Sequence, residues 1–327
     1  MQKKNVAVIC GGYTAEKNIS MGSGAVVENN INREHYNVFK VLVEENGCFV
    51  QPENTMVDMS DFSFAREGQK IKFDLVFNAI HGSPGEDGKI QGYFDMMKIP
   101  YTNCGVATSA LTFNKTWTKT VLGDTVLKAP GYLVQNDKIS INKALGEIPS
   151  NLKLPLFVKP NNNGSSYGIS KIKDFVQLEG AINDALQFDK EVLVEQGIIG
   201  KEVTCGVYQY KGEIIVLPIC EIVADKHEFF DYTAKYTSGE SDEIIPARIP
   251  DAEKILVEQY STAVYTKLNC KGVVRIDYII QDGNPYFLEV NTVPGLSEAS
   301  IVPKMAAASG LTLIDFFGRL LEEAKAG

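Results

Sequence analysis

Two short runs late in the chain carry the densest chemistry, Val274-Arg275-Ile276-Asp277-Tyr278 and Leu288-Glu289-Val290-Asn291-Thr292. Both alternate apolar and polar residues with the period of a β-strand. Arg275 and Asp277 therefore share one face of a strand, and Glu289 and Asn291 share one face of another. If those faces coincide, they present two carboxylates, a carboxamide and a guanidinium. Asp, Glu and Asn are hard oxygen ligands of the kind that suits Mg²⁺, which keeps water and takes further contacts from phosphates. Apolar flanks (Val273, Val274, Tyr286, Phe287, Leu288, Val290) argue for a central pair of strands rather than a surface hairpin.

A metal-phosphate site also needs cations and backbone donors aimed at the phosphates. Lys115, Lys159 and Lys235 are the candidates; singly each reads as a surface charge, and only the acidic set gives them a shared purpose. Lys159 ends the apolar run Leu156-Phe157-Val158, just before a polar loop, Asn161-Asn162-Asn163-Gly164-Ser165-Ser166-Tyr167-Gly168. There the amides of Ser165 and Ser166 are placed to cap phosphates.

The elements that must position these groups divide into an α/β part and an α+β part. Strand signals over Val6 to Cys10, Asn37 to Val43 and Phe73 to Ile80 alternate with helix signals over Ser20 to Asn32 and Gly88 to Met97, which predicts a small open sheet. Ligands of such sheets collect in the loops after the strands, here Gly11 to Ile19 and His81 to Gly88. One helix is predicted over Val106 to Leu122 and another over Asp174 to Leu186. Strands are expected over Leu156 to Lys159, Glu191 to Gln196, Val203 to Tyr210, Ile214 to Ile222, Val273 to Ile280 and Tyr286 to Asn291. The polar stretch Ala224 to Ile245 has no apolar period, and a loop of that length reads as a lid.

Several function classes are disfavoured. Gly11-Gly12 follows a strand, but the G-x-G-x-x-G spacing of a dinucleotide site is absent. Glu16 in the same loop reads, by itself, as a solvated carboxylate. A net charge of −9 with no dense Lys/Arg cluster argues against a nucleic-acid partner, and no apolar run is long enough to span a bilayer. The six cysteines lack C-x-x-C spacing, and none of the three histidines neighbours one at zinc-ligand distance, so a reducing cytosol and no structural zinc are expected. Met1 to Cys10 reads as a first strand, because Gly11 and Gly12 arrive too soon for a secretory leader.

Taken together, these residues resemble the ATP-grasp enzymes and, within them, the D-alanine-D-alanine ligases of bacterial cell-wall synthesis. The resemblance runs nearly end to end. It rests on Cys10 to Glu16 with Ser20, His81-Gly82-Ser83-Pro84-Gly85-Glu86-Asp87-Gly88, Asn114-Lys115, Val158-Lys159-Pro160 with Gly164-Ser165-Ser166, and Tyr232 to Tyr236. Arg275-Ile276-Asp277, Glu289 to Thr292, Pro294-Gly295 and Ser300 to Pro303 complete it. It implies an ATP-grasp fold with an N-terminal open α/β (Rossmann-like) domain at 1–104 that binds the first D-alanine. A central subdomain at 105–190 and a C-terminal one at 191–327, with a lid at 224–245, are implied to hold ATP between them.

The implied reaction phosphorylates one D-alanine and lets the amine of a second displace the phosphate. By matching position, Lys115, Lys159 and Lys235 hold phosphates, Glu195 and Ile198 meet adenine, and Glu202 meets the ribose. Asp277, Glu289 and Asn291 bind two Mg²⁺, for which Mn²⁺ can substitute. Glu16 pairs with the first ammonium, His81 lies by its carboxylate, Arg275 and the Gly295 amide meet the oxyanion, and Ser300 with Ile301 seats the second carboxylate. Ser165 and Tyr236 bond to Glu16 and hold the lid closed, and Tyr236 favours D-alanine as second substrate. Asn161-Asn162-Asn163 departs from the family by lacking the charges often seen in that loop. A cytoplasmic homodimer is implied. The competing readings are a ligase that makes D-alanine-D-lactate or D-alanine-D-serine, and a nucleotide-binding module without catalysis.

Overall fold

The computed structural model describes residues 3–162, 164, 168–223 and 242–326. Ser165, Ser166, Lys235, Tyr236 and most of the expected lid lie outside the described residues.

Val6 to Ile9 are fully buried, and this continuous apolar run forms an interior strand of a five-stranded sheet. β1 (Lys4–Gly11) pairs in parallel with β2 (Tyr36–Glu44) on one side and β7 (Leu75–Asn78) on the other. Beyond β2 the sheet adds β3 (Gly47–Val50) and β4 (Thr55–Met56), both antiparallel. A hairpin, β5 (Ser63–Arg66) with β6 (Gln69–Lys72), stands apart from it. Helices α1 (Lys17–Asn30) and α2 (Lys89–Met97) follow β1 and β7, as the alternating signals predicted.

The single helix expected over Val106 to Leu122 is two: α3 (Val106–Phe113) and α4 (Lys115–Leu122). Asn114 between them is extended, with φ −95° and ψ 108°, and its side chain accepts a hydrogen bond from the Trp117 N–H at 2.9 Å. That is an N-cap, a role asparagine fills well. Its result is that Lys115 opens a helix instead of lying inside one.

After β8 (Leu127–Lys128), a four-stranded antiparallel sheet forms from β9 (Gly131–Gln135), β10 (Leu156–Pro160), β11 (Ser170–Ile172) and β12 (Glu191–Gln196), in the order β11-β10-β12-β9. Helices α5 (Lys138–Asn151) and α6 (Leu178–Ala185) pack on it through Ala144, Ile148, Ala181 and Ile182.

The largest sheet contains β13 (Lys201–Tyr210), β15 (Cys220–Val223), β16 (Asp242–Ile244), β17 (Val273–Gln281) and β18 (Asn284–Asn291), ordered β16-β15-β13-β17-β18-β8, with β14 (Glu213–Val216) paired to β13. The strand predicted over Ile214 to Ile222 is therefore two. Pro218, which has no N–H for a ladder, sits in the break. β17 and β18 are interior strands, as their apolar flanks implied. Helix α7 (Asp251–Lys267) covers this sheet, and α8 (Ile301–Ala308) and α9 (Leu313–Ala326) close the chain. Phe316 and Phe317 carry α9 into a core shared with Val6, Val8, Leu75 and Phe77 of the first sheet, so the two ends of the chain are packed together.

Candidate active site

In β17 and β18 the predicted faces coincide: Arg275 lies opposite Asn291 and Asp277 opposite Glu289, with a bulge after Asp277. Directly opposed residues on one face have Cβ atoms roughly 5 Å apart, close enough for all four side chains to interact. Arg275 donates to both Asp277 oxygens, at 2.9 and 2.8 Å, a paired geometry that sets the plane of the guanidinium. Asp277 also accepts from the Thr204 hydroxyl of β13 at 2.6 Å and from the Asn291 amide at 3.1 Å. Glu289 meets the Lys115 ammonium at 3.6 Å.

Two carboxylates and a carboxamide on adjacent strands form an oxygen-donor set that fits Mg²⁺. Among the described residues no group of three or more His, Cys, Asp or Glu is gathered to hold a metal, so this set depends on a carboxamide beside its two carboxylates.

Lys115 is seated by the loop after β10. Its N–H donates to the Asn161 carbonyl, and the Asn161 side chain accepts from the backbone and hydroxyl of Thr116 while donating to Glu191. Asn162 bonds to Asp189 and accepts from Asn114. These two asparagines tie the loop to α4, and neutral amides suffice for that.

One turn further along α4, Glu195 of β12 is gripped by two lysines. Lys159 of β10 approaches to 2.5 Å, and Lys119, one helical turn after Lys115, forms a second short contact. Burial pushes the Glu195 carboxyl up, but Lys119 and Lys159 overrule it and hold it near 2. The Glu195 side chain is thus committed to the two lysines. Ile198 lies half-buried in the 197–200 connection, and Glu202 pairs with Ile222 and Ile279 inside the large sheet; neither lines the cleft described next.

A cleft of about 400 Å³ opens beside Arg275. It brings together Glu16, His81, Arg275, Asn291, Gly295, Ser300 and Ile301, seven positions that the sequence singled out from five separate segments. A larger cleft of about 710 Å³ between α2 and α9 contains none of them, so chemistry rather than volume locates the site. Glu16 stands just before α1, anchored where Ser20 accepts from the Gly11 N–H and donates to the Ala79 carbonyl, both at 2.8 Å. Gly82 and Gly164 face it closely: a Cβ on either would come within 3.2 or 3.3 Å of the Glu16 carboxylate, and Gly82 has a φ of +68° that favours glycine. The Gly164 loop therefore reaches Glu16. Gly295 is equally constrained, since a Cβ there would lie 2.8 Å from the Ser300 hydroxyl.

His81 is buried, and both its ring nitrogens are engaged. Nδ1 lies 2.8 Å from the Val293 carbonyl, which only accepts, so Nδ1 carries the proton. Burial lowers its pKa and keeps the ring neutral, leaving Nε2 to accept from Ser23 at 3.0 Å. Ser23 in turn accepts from the Leu296 N–H at 3.1 Å. His81 thus locks α1 to the segment 293–296 and meets the cleft as a neutral wall.

Two cleft carboxylates were not singled out individually by the sequence. Glu86 accepts from the Gly82 N–H at 2.7 Å and the Val293 N–H at 3.1 Å; burial, then the charge of Glu16, pushes it up to about 8. Glu243 of β16 pairs with Lys304 of α8 at 2.7 Å. The Gly-Glu-Asp-Gly run pointed to the Glu86 loop, but only the fold shows which acid turns inward.

With that geometry in view, comparison with known proteins is informative. Residues 5–104 match the family described as D-ala D-ala ligase N-terminus, and residues 127–322 match D-ala D-ala ligase C-terminus. A D-alanine--D-alanine ligase from Flavobacterium johnsoniae is 45% identical over 322 residues, covering 98% of both chains. The solved VanG D-Ala:D-Ser ligase from Enterococcus faecalis superposes with a TM-score of 0.87 at 31% identity, covering 99% of this chain and 100% of that one. The D-alanine--D-alanine ligase from Bacillus anthracis complexed with ATP does so with a TM-score of 0.80 at 28% identity, covering 100% and 98%.

Proposed function

The chain belongs to the D-alanine-D-alanine ligase family, and from that premise we propose that it joins two D-alanines into D-alanyl-D-alanine for the bacterial cell wall, converting ATP to ADP and phosphate. The observation that carries the reading is the convergence of Glu16, Arg275, Asn291, Gly295 and Ser300 on one cleft that adjoins the Lys115–Glu289 pair.

The chemistry follows from the groups. A carboxylate is a poor electrophile until one oxygen becomes a leaving group, and phosphorylation by ATP supplies that as D-alanyl phosphate. Glu16 receives the ammonium of the first D-alanine, with His81 as the wall beside it. Arg275, held in plane by Asp277, and the Gly295 amide stabilise the oxyanion when the second amine attacks. Ser300 and Ile301, at the N-terminus of α8, receive the second carboxylate, where helix amides favour an anion. Lys115 and Lys159 hold phosphates, joined by Lys235 and the Ser165 and Ser166 amides, while Ile198 meets the base and Glu202 the ribose. Glu195 contributes its main chain to the base, because its side chain is taken. Asp277, Glu289 and Asn291 hold two Mg²⁺, or Mn²⁺ in their place, whose chemistry when bound is to neutralise phosphate charge.

The same reading divides the chain into 1–104, 105–190 and 191–327, with β12 pairing back onto the central sheet, and makes a lid of 224–245 as far as the sheet strand β16, with Tyr236 and Ser165 bonding toward Glu16, to exclude water from the acyl phosphate. It places the enzyme in the cytoplasm as a homodimer; no single helix among the described residues is long and apolar enough to cross a membrane. The relative solved as a D-Ala:D-Ser ligase shares the fold, so the second substrate is decided by product. The test is phosphate release from ATP and Mg²⁺ on adding D-alanine, with D-serine and D-lactate offered in parallel and products identified by mass. Stoichiometric D-alanyl-D-alanine is expected; ATP bound without product, or a preference for D-serine or D-lactate, overturns the assignment.

A further inference from the structure

Lys119 has no part in the site as assigned so far, yet it is nearly buried and paired with a buried acid. We propose that Lys119 is a positioning residue of the nucleotide site: it neutralises Glu195, so that the Lys159 ammonium is left with an unbalanced positive charge for the nucleotide phosphates. The inference rests on the ligase reading and extends it to a residue that need not touch ATP.

The geometry carries the argument. Lys115 and Lys119 stand four residues apart in α4 and so share one face. The first meets Glu289 and the second Glu195, which places Lys119 between the acidic set and the β10-β12 ladder. Glu195, Lys119 and Lys159 have side chains only 4, 11 and 12% exposed. Among the described residues one carboxylate thus contacts two ammonium groups where a structural ion pair needs one, with Glu289 acting on Lys119 without a direct contact, and the surplus positive charge suits a bound anion.

Stability does not explain the arrangement. The two lysines hold Glu195 below the usual carboxylate range, which favours the fold, but burial draws Lys119 down in spite of Glu195, which opposes it. A buried cluster that gains little stability and keeps a surplus charge fits a ligand-positioning role.

Charge counting supplies the test. Lys119→Met leaves Lys159 and Glu195 as a neutral pair, so ADP binding measured by calorimetry should weaken by about tenfold or more while the KM for D-alanine stays within about twofold. Adding Glu195→Gln to that variant restores the surplus charge, and ADP affinity should return to within about threefold of the parent; Lys119→Arg should behave likewise. Thermal melting of each variant checks folding. Should Lys119→Met fail to fold, the double variant and Lys119→Arg carry the test alone, and weak ADP binding by both when folded overturns the proposal. So does parental ADP affinity in Lys119→Met. D-alanine-dependent phosphate release by the parent enzyme tests the ligase reading separately, because ADP affinity does not depend on which acceptor is used.

Discussion

Replacing Asn114 by alanine tests whether the break between α3 and α4 exists to present Lys115. The side chain is almost wholly buried; Oδ1 caps α4 by accepting from Trp117, and Nδ2 donates to Asn162 at 2.8 Å and Glu191 at 3.2 Å. Losing the cap costs about 1 kcal/mol. Losing the bond to the Glu191 carboxylate adds roughly 1.5 kcal/mol, for a total of about 2–3 kcal/mol. Urea unfolding followed by circular dichroism reads that loss as a lower midpoint with unchanged slope.

The functional share is smaller and more diagnostic. Lys115 is the first residue of α4, so an uncapped turn frays where its side chain departs. About 1 kcal/mol lost from the nucleotide-bound state corresponds to a roughly fivefold rise in the KM for ATP. Asn114→Ser keeps an oxygen for the cap but cannot reach Asn162 and Glu191, so its KM for ATP should stay near the parent value while part of the stability loss remains. An alanine variant with unchanged KM for ATP, or a serine variant as impaired as alanine, refutes the idea that the cap positions Lys115.

Glu289→Gln removes one of the two carboxylates that face Arg275 and Lys115, so turnover should fall by roughly 10²-fold or more with a raised Mg²⁺ requirement; near-normal phosphate release at low Mg²⁺ would count against a metal role. Gly295→Ala forces a methyl to 2.8 Å from the Ser300 hydroxyl, a clash worth about 1–3 kcal/mol, and the KM for the second D-alanine should rise while that for ATP does not. Glu86 retains its proton in the folded protein up to about pH 8 but gives it up near 4.5 when unfolded. The folded state therefore holds the extra proton between those values, and this contribution to stability, complete below 4.5, is lost as pH rises through 8. Glu86→Gln should flatten the decline in unfolding free energy across that window; identical pH slopes in variant and parent would dismiss the assignment.

Where alternation was strong, the fold was legible: β1, β10, β12, β17 and β18 lie where the apolar patterns put them. The Arg275, Asp277, Glu289 and Asn291 set was readable because a period of two dictates which side chains share a face, and the register then brought the faces together. Asn114 and Pro218 show the limit of periodicity, since each interrupts a pattern that its apolar neighbours continue. Lys119 was hidden for another reason. In Asn114-Lys115-Thr116-Trp117-Thr118-Lys119 it looks like one more solvated helical charge, and its partner is 76 residues away across a sheet. Glu86 was hidden among the acids of its loop until Val293, more than 200 residues later, supplied one of its two N–H donors.

The two halves of the site differ in the charged groups they gather, and under the proposed function that difference would orient the substrates. On the side proposed to hold phosphates, Lys115, Lys119, Lys159 and Arg275 gather around Glu195, Asp277 and Glu289 among the described residues. On the amino-acid side, Glu243 is matched by Lys304 and burial pushes Glu86 toward its protonated form, so under the proposed function Glu16 is the carboxylate offered to the incoming ammonium. Under the proposed function, a zwitterion entering between these fields would be turned with its ammonium to Glu16 and its carboxylate toward Arg275. If Glu86 were charged instead, two adjacent carboxylates would compete for the ammonium and the orientation would loosen. On that reading, the burial that makes Glu86 a weak acid would be part of how the cleft selects which end of its substrate is activated.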